Sequence, residues 1–170
     1  MLDLTNVNRV IFLDIDGCLT SMEDFSYFNP DPEKYHPSLK LINKVKALCT
    51  KTGAKVIMST NWRKFDVDGT WKNQYGVYKN PLPETMRWFG NYCLGTLPKT
   101  RHINKSQALI LWLKETSYTG KFVIFDDDFK EQFQNTSDFG IMDMFIHINP
   151  QYGITDDDIL KAKRILTNDE

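Results

Sequence analysis

The 170-residue sequence has no apolar run long enough to cross a membrane, and its first residues lack the basic and then apolar pattern of a secretory signal. It also lacks an excess of charge of either sign, because 21 basic and 22 acidic residues leave a net charge of −1. That balance gives no electrostatic reason to expect general binding to nucleic acid or to an anionic membrane. These absences predict a cytoplasmic protein with no membrane partner.

Cysteine and histidine are too few and too scattered to form a zinc site or a disulfide framework. The chain has three of each: Cys18, Cys49, Cys93, His36, His102 and His147. The cysteines are odd in number and are expected to be reduced thiols. No Ser/His/Asp arrangement supports histidine-based hydrolysis.

Five short segments rich in Val, Ile and Phe alternate with segments of helical periodicity. The predicted strands are residues 9–13, 54–58, 91–94, 121–125 and 144–148. The predicted helices are residues 37–50, 106–115 and 155–166, with shorter ones near 83–89 and 129–135. This alternation predicts an α/β fold, a three-layer, doubly wound (Rossmann-like) parallel sheet of five strands, in a single domain over residues 1–170. Two long irregular stretches remain, residues 17–36 and 64–82, and loops of that length are often functional.

Two carboxylates, Asp14 and Asp16, follow the first predicted strand directly. Residues i and i+2 of an extended segment face the same side, so the two carboxylates share one space and repel unless a cation or a proton relieves them. Ligands of open α/β sheets bind at this end of the strands. An isolated Asp-x-Asp-Gly is equally consistent with an acidic turn.

Polar residues also follow two other predicted strands. The segment Ser59-Thr60-Asn61-Trp62-Arg63 offers hydroxyl, amide and guanidinium donors to an anion. Ser, Thr and Asn are also common helix caps, and when this segment is considered in isolation a cap is favoured over an anion site. Asp126-Asp127-Asp128 adds three acids. Carboxylates gathered at one edge of a sheet favour a hard cation, and Mg²⁺ is the natural candidate.

A basic run over residues 99–106 opens a predicted helix and offers a cation to balance these acids. Lys99, Arg101 and Lys105 are all candidates, and Lys105 is preferred because it stands where the helix begins.

Along the chain, the acid pair comes first, followed by the hydroxyls, the lysine and the acidic cluster. Motifs in this order resemble those of the haloacid dehalogenase-like (HAD) phosphohydrolase superfamily, and the resemblance covers nearly the whole chain. The sequence is most similar to the capless HAD domains of Swiss-army-knife RNA repair proteins. The similarity is carried by four segments: residues 12–17 (Phe-Leu-Asp-Ile-Asp-Gly), the Ser/Thr-rich end before Trp62-Arg63, Asp126-Asp127-Asp128, and residues 148–155.

The resemblance implies the roles of the catalytic residues. Asp14 would attack phosphorus and become an aspartyl-phosphate, and Asp16 would protonate the leaving oxygen and then activate water. Thr60 would supply the hydroxyl of the second motif, with Ser59 as the fallback, and Lys105 would neutralise the nucleophile and the phosphoryl group.

The resemblance also implies a Mg²⁺ cofactor and a set of binding residues. The metal residues would be Asp14, Asp126, Asp127 and, through its backbone carbonyl, Asp16. The role of Asp128 stays open. The residues expected to contact substrate are Gly17, Ser59, Asn61, Trp62 and Arg63.

The segment from Gly17 to Pro37 is too short for a folded cap domain, and residues 64–82 form at most a hairpin. A capless site is open, which suits a large substrate, such as a nucleic-acid end, or completion of the site by another subunit. Aromatic side chains of the two loops and Trp62 could stack on bases. The favoured substrate is a nucleotide or polynucleotide 3′-phosphate end, and the alternative is a small sugar or other metabolite phosphate.

Two other classes of protein use similar residues. A phosphoryl-accepting receiver domain also combines acids, a hydroxyl and a lysine, but there the acid pair and acceptor Asp precede the hydroxyl and the lysine, whereas here the acid cluster comes last. A non-catalytic phosphate-binding module on the same scaffold is the other alternative, and the presence of both Asp14 and Asp16 argues against it.

Overall fold

The computed structural model describes residues 4–23, 36–65, 70–73, 76–99, 102–128 and 141–167. The strands are β1 (Arg9–Leu13), β2 (Lys55–Met58), β3 (Thr70–Asn73), β4 (Gly76–Lys79), β5 (Cys93–Thr96), β6 (Lys121–Asp126) and β7 (Phe145–His147). The helices are α1 (Leu39–Thr52), α2 (Leu82–Phe89), α3 (Lys105–Thr116) and α4 (Asp156–Thr167).

Five of these strands form one parallel sheet in the order β5-β2-β1-β6-β7, with β1 at the centre. Strands β3 and β4 pair with each other as a separate antiparallel hairpin. Helices α1 and α4 pack against one face of this sheet and α3 packs against the other, which confirms the predicted doubly wound α/β class.

The central strand β1 is apolar because both of its faces are buried. Val10 and Phe12 pack against residues of α3 on one face, whereas Ile11 and Leu13 pack on the other face with residues of α1 and α4. All four side chains are fully buried. Because side chains alternate between the two faces, the position of a residue at the end of a strand determines which helix its side chain faces.

The predicted elements are found with small shifts of their ends, except at β5. The sequence predicts a strand at residues 91–94. In the structure, Gly90 ends α2 with a positive φ of 56° and residues 90–92 form a 3₁₀ turn, so the strand begins at Cys93.

The irregular stretch 64–82 contains the β3–β4 hairpin. The predicted helix at 129–135 and residues 24–35 of the first long loop lie outside the described residues.

In the part of the chain that the structure describes, no helix is both long and apolar enough to cross a membrane.

Candidate active site

Three polar residues lie at the carboxyl ends of three adjacent strands, at the same edge of the sheet. Leu13 pairs with both Met58 and Phe125, so Asp14, Ser59 and Asp126 come next on their strands. Two backbone hydrogen bonds continue the pairing, from the Asp14 amide to the Phe125 carbonyl (3.0 Å) and from the Ser59 amide to the Leu13 carbonyl (2.7 Å).

The side of the sheet on which these three residues lie follows from the strand alternation. Phe12, Ile57 and Ile124, two positions earlier on the three strands, pack in the cluster that contains α3. Asp14, Ser59 and Asp126 therefore face α3 as well. They share this space with the first residue of that helix, Lys105.

Lys105 connects the acids of two strand ends. Its Nζ lies 2.6 Å from Asp14 Oδ2, 2.9 Å from Asp126 Oδ1 and 2.6 Å from Asp128 Oδ2, and its side chain is 3% exposed. Burial alone would lower the pKa of Lys105, but the attraction of the three carboxylates outweighs it and raises the pKa well above its usual value. The ammonium is therefore charged throughout the neutral range.

A capping box fixes the position of Lys105. The Asn104 side chain accepts a hydrogen bond from the Gln107 amide (2.8 Å), and the Gln107 side chain accepts one from the Asn104 amide (3.0 Å). This arrangement satisfies two donors at the helix start, so α3 begins at a defined residue and presents Lys105 to the sheet edge.

The carboxylates of Asp14, Asp126 and Asp127 form a group in which one oxygen atom from each residue lies within 4.8 Å of the other two. Asp126 is fully buried, and its Oδ2 has no hydrogen-bond partner among the described residues. Burial and the charge of Asp14 raise the pKa of Asp126, against the opposing effect of Lys105. An uncompensated buried carboxylate oxygen in an all-oxygen group fits a hard divalent cation such as Mg²⁺.

The turn after β1 brings Asp16 and Gly17 to this group. Gly17 has a φ of +66°, and a Cβ there would overlap the Asp127 carboxylate, so the turn admits only glycine. Its amide donates to the Thr20 hydroxyl (3.0 Å). Burial, and then repulsion from Asp14 and Asp127, raise the pKa of Asp16 to about 8.

Ser59 and Thr60, the two alternatives for the hydroxyl of the second motif, have different surroundings in the segment after β2. The Thr60 hydroxyl accepts a hydrogen bond from the Trp62 amide (3.3 Å) and caps a 3₁₀ turn over residues 61–64. Ser59 is fully buried, and its hydroxyl has no hydrogen-bond partner among the described residues. Of the two, Ser59 is the one on the side of the sheet that faces Lys105.

Arg63 is buried rather than displayed at the edge, being 1% exposed. Its guanidinium donates to the backbone carbonyls of Thr60 (2.8 Å), Pro98 (3.1 Å), Ile103 (3.3 Å) and Asn104 (3.4 Å). It therefore ties the segment after β2 to the segment that leads into α3. These hydrogen bonds all go to the protein itself, and a contact of Arg63 with substrate stays a prediction.

The other expected contact residues are divided between surface and interior. Asn61 is exposed, and its side-chain oxygen accepts a hydrogen bond from Arg63 (3.4 Å). Trp62 is 7% exposed, and its indole N–H donates to Asp16 Oδ2 (3.0 Å). Of the alternatives to Lys105, Lys99 is exposed and Arg101 lies outside the described residues.

Two features of the site are not predicted from the sequence: the contacts of Asp128 and the pairing of Trp62 with Asp16. Asp128 contacts Lys105 and donates its amide to Asp126 Oδ1 (2.9 Å). The i, i+2 spacing of Asp126 and Asp128 repeats that of Asp14 and Asp16 and could have indicated it. The pairing of Trp62 with Asp16 has no local signal, because it joins two loops.

A family model described as "HAD domain in Swiss Army Knife RNA repair proteins" matches residues 10–159. Comparisons with curated proteins and with solved structures returned no match. The matched range runs from β1 into α4 and includes the ends of the three strands that carry the site. The chain therefore belongs to the family of HAD domains found in Swiss Army Knife RNA repair proteins.

Proposed function

We propose that this HAD-type domain is a Mg²⁺-dependent phosphomonoesterase that forms an aspartyl-phosphate on Asp14. The observation that carries the proposal is the buried Lys105 ammonium, which lies 2.6 Å from Asp14 and 2.9 Å from Asp126 at the carboxyl ends of two parallel strands. Phosphoryl transfer requires a positioned nucleophile and neutralisation of charge, and this arrangement offers both.

Asp14 is the nucleophile. Its carboxylate attacks phosphorus in line with the ester oxygen, so that a bond forms from the carboxylate oxygen to phosphorus and the ester P–O bond breaks. The Ile15 amide donates to Asp14 Oδ1 (2.7 Å) and fixes the orientation of the carboxylate. The adjacent Lys105 ammonium reduces the repulsion between the carboxylate and the anionic phosphate.

Asp16 is the acid and then the base. Its pKa of about 8 keeps the protonated form populated at neutral pH, and this proton goes to the leaving oxygen in the first step. In the second step the Asp16 carboxylate takes a proton from a water molecule that attacks the phosphorus of the aspartyl-phosphate. Inorganic phosphate leaves, and both carboxyl groups return to their starting states.

Ser59 is the better candidate for the hydroxyl that donates to a phosphate oxygen. Its buried hydroxyl has no partner among the described residues, whereas the Thr60 hydroxyl already caps a turn. A substrate oxygen would satisfy this group, whose burial without a partner is costly.

Mg²⁺ would be held by the carboxylates of Asp14, Asp126 and Asp127. The resemblance to the HAD superfamily adds the Asp16 backbone carbonyl as a further ligand. When bound, the ion supplies positive charge to the phosphoryl oxygens and orients them for in-line attack.

A nucleotide or polynucleotide 3′-phosphate end is the favoured substrate. The family is named for RNA repair proteins, and the described residues include no large cap that would close the site. Burial, and then repulsion from Arg63 and Lys105, lower the pKa of the neighbouring Lys64, so its ammonium lies within electrostatic reach of these two cations. A phosphate dianion would relieve that repulsion.

The test is a phosphate-release assay with Mg²⁺ on oligonucleotides phosphorylated at the 3′ or 5′ end, nucleoside monophosphates and small sugar phosphates. We expect the highest kcat/KM for the 3′-phosphorylated oligonucleotide. Asp14→Asn should abolish release, whereas the control Asp143→Asn, an exposed acid before β7, should leave it unchanged.

Different results would contradict the mechanism, the catalytic activity and the choice of substrate. Unchanged turnover by Asp14→Asn would exclude the mechanism, and binding of phosphate without its release would indicate a non-catalytic module. A preference for sugar phosphates would remove only the nucleic-acid substrate.

A further inference from the structure

A hydrogen bond joins the loop after β2 to the loop after β1 at the edge of the candidate active site. The indole N–H of Trp62 donates to Asp16 Oδ2 over 3.0 Å. Trp62 is 7% exposed and Asp16 is partly buried, so water competes poorly for this bond. The two residues are 46 positions apart, and folding of the sheet brings them together.

The backbone of Trp62 is held on both sides. Its amide donates to the Thr60 hydroxyl (3.3 Å), and its carbonyl accepts a hydrogen bond from the Asn80 side chain (3.3 Å). Asn80 also accepts from the Leu82 amide at the start of α2 (3.0 Å). The ring of Trp62 packs against Phe65, with centroids 5.7 Å apart. The indole N–H is therefore presented from a fixed position.

The chemistry of the indole determines what this contact does to the carboxyl group. An indole N–H only donates, so the oxygen that receives it, Asp16 Oδ2, acts as the acceptor. A carbonyl oxygen accepts a hydrogen bond better than a hydroxyl oxygen does, so in the protonated carboxyl group this contact favours the proton on the other oxygen, Oδ1. The contact thus limits rotation of the side chain and selects the oxygen from which the proton is delivered.

We propose that Trp62 is a positioning residue, which orients the Asp16 carboxyl group so that Oδ1 transfers the proton to the leaving group. This inference rests on the proposed phosphatase function, because it assigns to Trp62 an effect on the step in which the ester bond breaks. A Trp62 that merely fills the core would affect all substrates alike. A positioning Trp62 matters most where the leaving oxygen needs a proton.

The test compares the hydrolysis of two substrates by the whole chain in the presence of Mg²⁺. p-Nitrophenolate leaves without protonation, whereas the alkoxide released from a nucleoside 3′-monophosphate must be protonated as it leaves. The measured quantity is kcat/KM, which reports the steps up to the first irreversible one and so includes ester cleavage.

The variant is Trp62→Phe, and Trp112→Phe is its matched control. Trp112 is 3% exposed, and its indole N–H has no hydrogen-bond partner among the described residues, so both substitutions remove the same atoms from the interior. Only the first removes a hydrogen bond to Asp16. Should Trp62→Phe fail to fold, benzothienylalanine at position 62 keeps the two-ring shape and replaces the N–H with sulfur.

Because a general acid contributes about 10²–10⁴-fold to a rate, we expect Trp62→Phe to lower kcat/KM for the nucleotide by about tenfold or more and for p-nitrophenyl phosphate by less than about threefold. Trp112→Phe should lower both by the same small factor. Equal losses on both substrates with Trp62→Phe, or no loss on either, would overturn the positioning role alone. A wild-type protein that released phosphate from neither substrate would contradict the proposed function and the inference with it.

Discussion

Lys105 is the residue through which the charges of the site are balanced. Its ammonium contacts carboxylates from the ends of β1 and β6, and the first turn of α3 holds it in place. Removing the positive charge would leave the carboxylates and an incoming phosphate to repel one another directly.

We therefore expect Lys105→Met, which keeps most of the side-chain volume, to lower kcat/KM by at least about 10²–10³-fold, as for the loss of other groups that stabilise developing charge. Lys99→Met is the control, because Lys99 is exposed. Steady-state phosphate release checks both variants. A loss with Lys99→Met and none with Lys105→Met would reassign the cation of the site.

At the scale of single residues, the sequence predicts those site residues whose position is determined by the strand at whose end they lie. Asp14 follows the buried strand β1, Asp126 ends the neighbouring strand β6, and parallel pairing brings the two carboxylates together. The partners of Arg63 and Trp62 could not be predicted, because each reaches across loops to groups far along the chain. Their residue types suggested an anion or a base, whereas their described contacts are with the protein.

Among the elements, the turn after β7 supports the loop that carries Asp16. The Ile154 amide donates to the Cys18 carbonyl (3.1 Å), and the Met22 amide donates to the Pro150 carbonyl (3.0 Å). Gly153, in the turn after β7, has a φ of +65°, and a Cβ there would approach Leu41 and the Cys18 carbonyl. The close packing of the two loops thus depends on glycine.

Gly153→Ala should destabilise the protein by more than Gly53→Ala. Gly53 has a similar φ of +71° but nothing within 4 Å of a Cβ, so that variant measures the backbone strain alone. A left-handed conformation costs a non-glycine residue roughly 1–2 kcal/mol, and Gly153→Ala adds a steric overlap to that cost. Urea unfolding gives both free energies. Equal losses would show that the two loops are not tightly packed.

The order of the elements could be predicted because β1, α1, β6 and α4 have clear periodicity and clear ends. The start of β5 could not, because Asn91 and Tyr92 resemble the strand that follows but complete a 3₁₀ turn after Gly90. That geometry depends on the backbone of the preceding helix end, which local composition does not reveal.

On the scale of the whole molecule, a nearly neutral chain gathers negative charge at one end of its sheet. A cation bound there in the folded state, and not in the unfolded chain, stabilises the fold in proportion to the logarithm of its concentration.

We expect Mg²⁺ to raise the Tm and EDTA to reverse the rise. Asp127→Asn should reduce this Mg²⁺-dependent shift, whereas Asp143→Asn should keep it, because Asp143 is exposed and precedes β7 rather than following it. Differential scanning fluorimetry over a Mg²⁺ series measures the shift. A Tm that did not respond to Mg²⁺ in the wild type would contradict the metal assignment.

The most direct measurement of the central claim is mass spectrometry of the Asp16→Asn variant after it reacts with p-nitrophenyl phosphate and Mg²⁺. This substrate needs little help from an acid, and asparagine cannot activate water for the second step, so the covalent intermediate should accumulate. The proposed mechanism predicts a burst of about one p-nitrophenolate per protein molecule and a phosphoryl group on the peptide that contains Asp14. Release of p-nitrophenolate with no adduct, or an adduct on another residue, would contradict it.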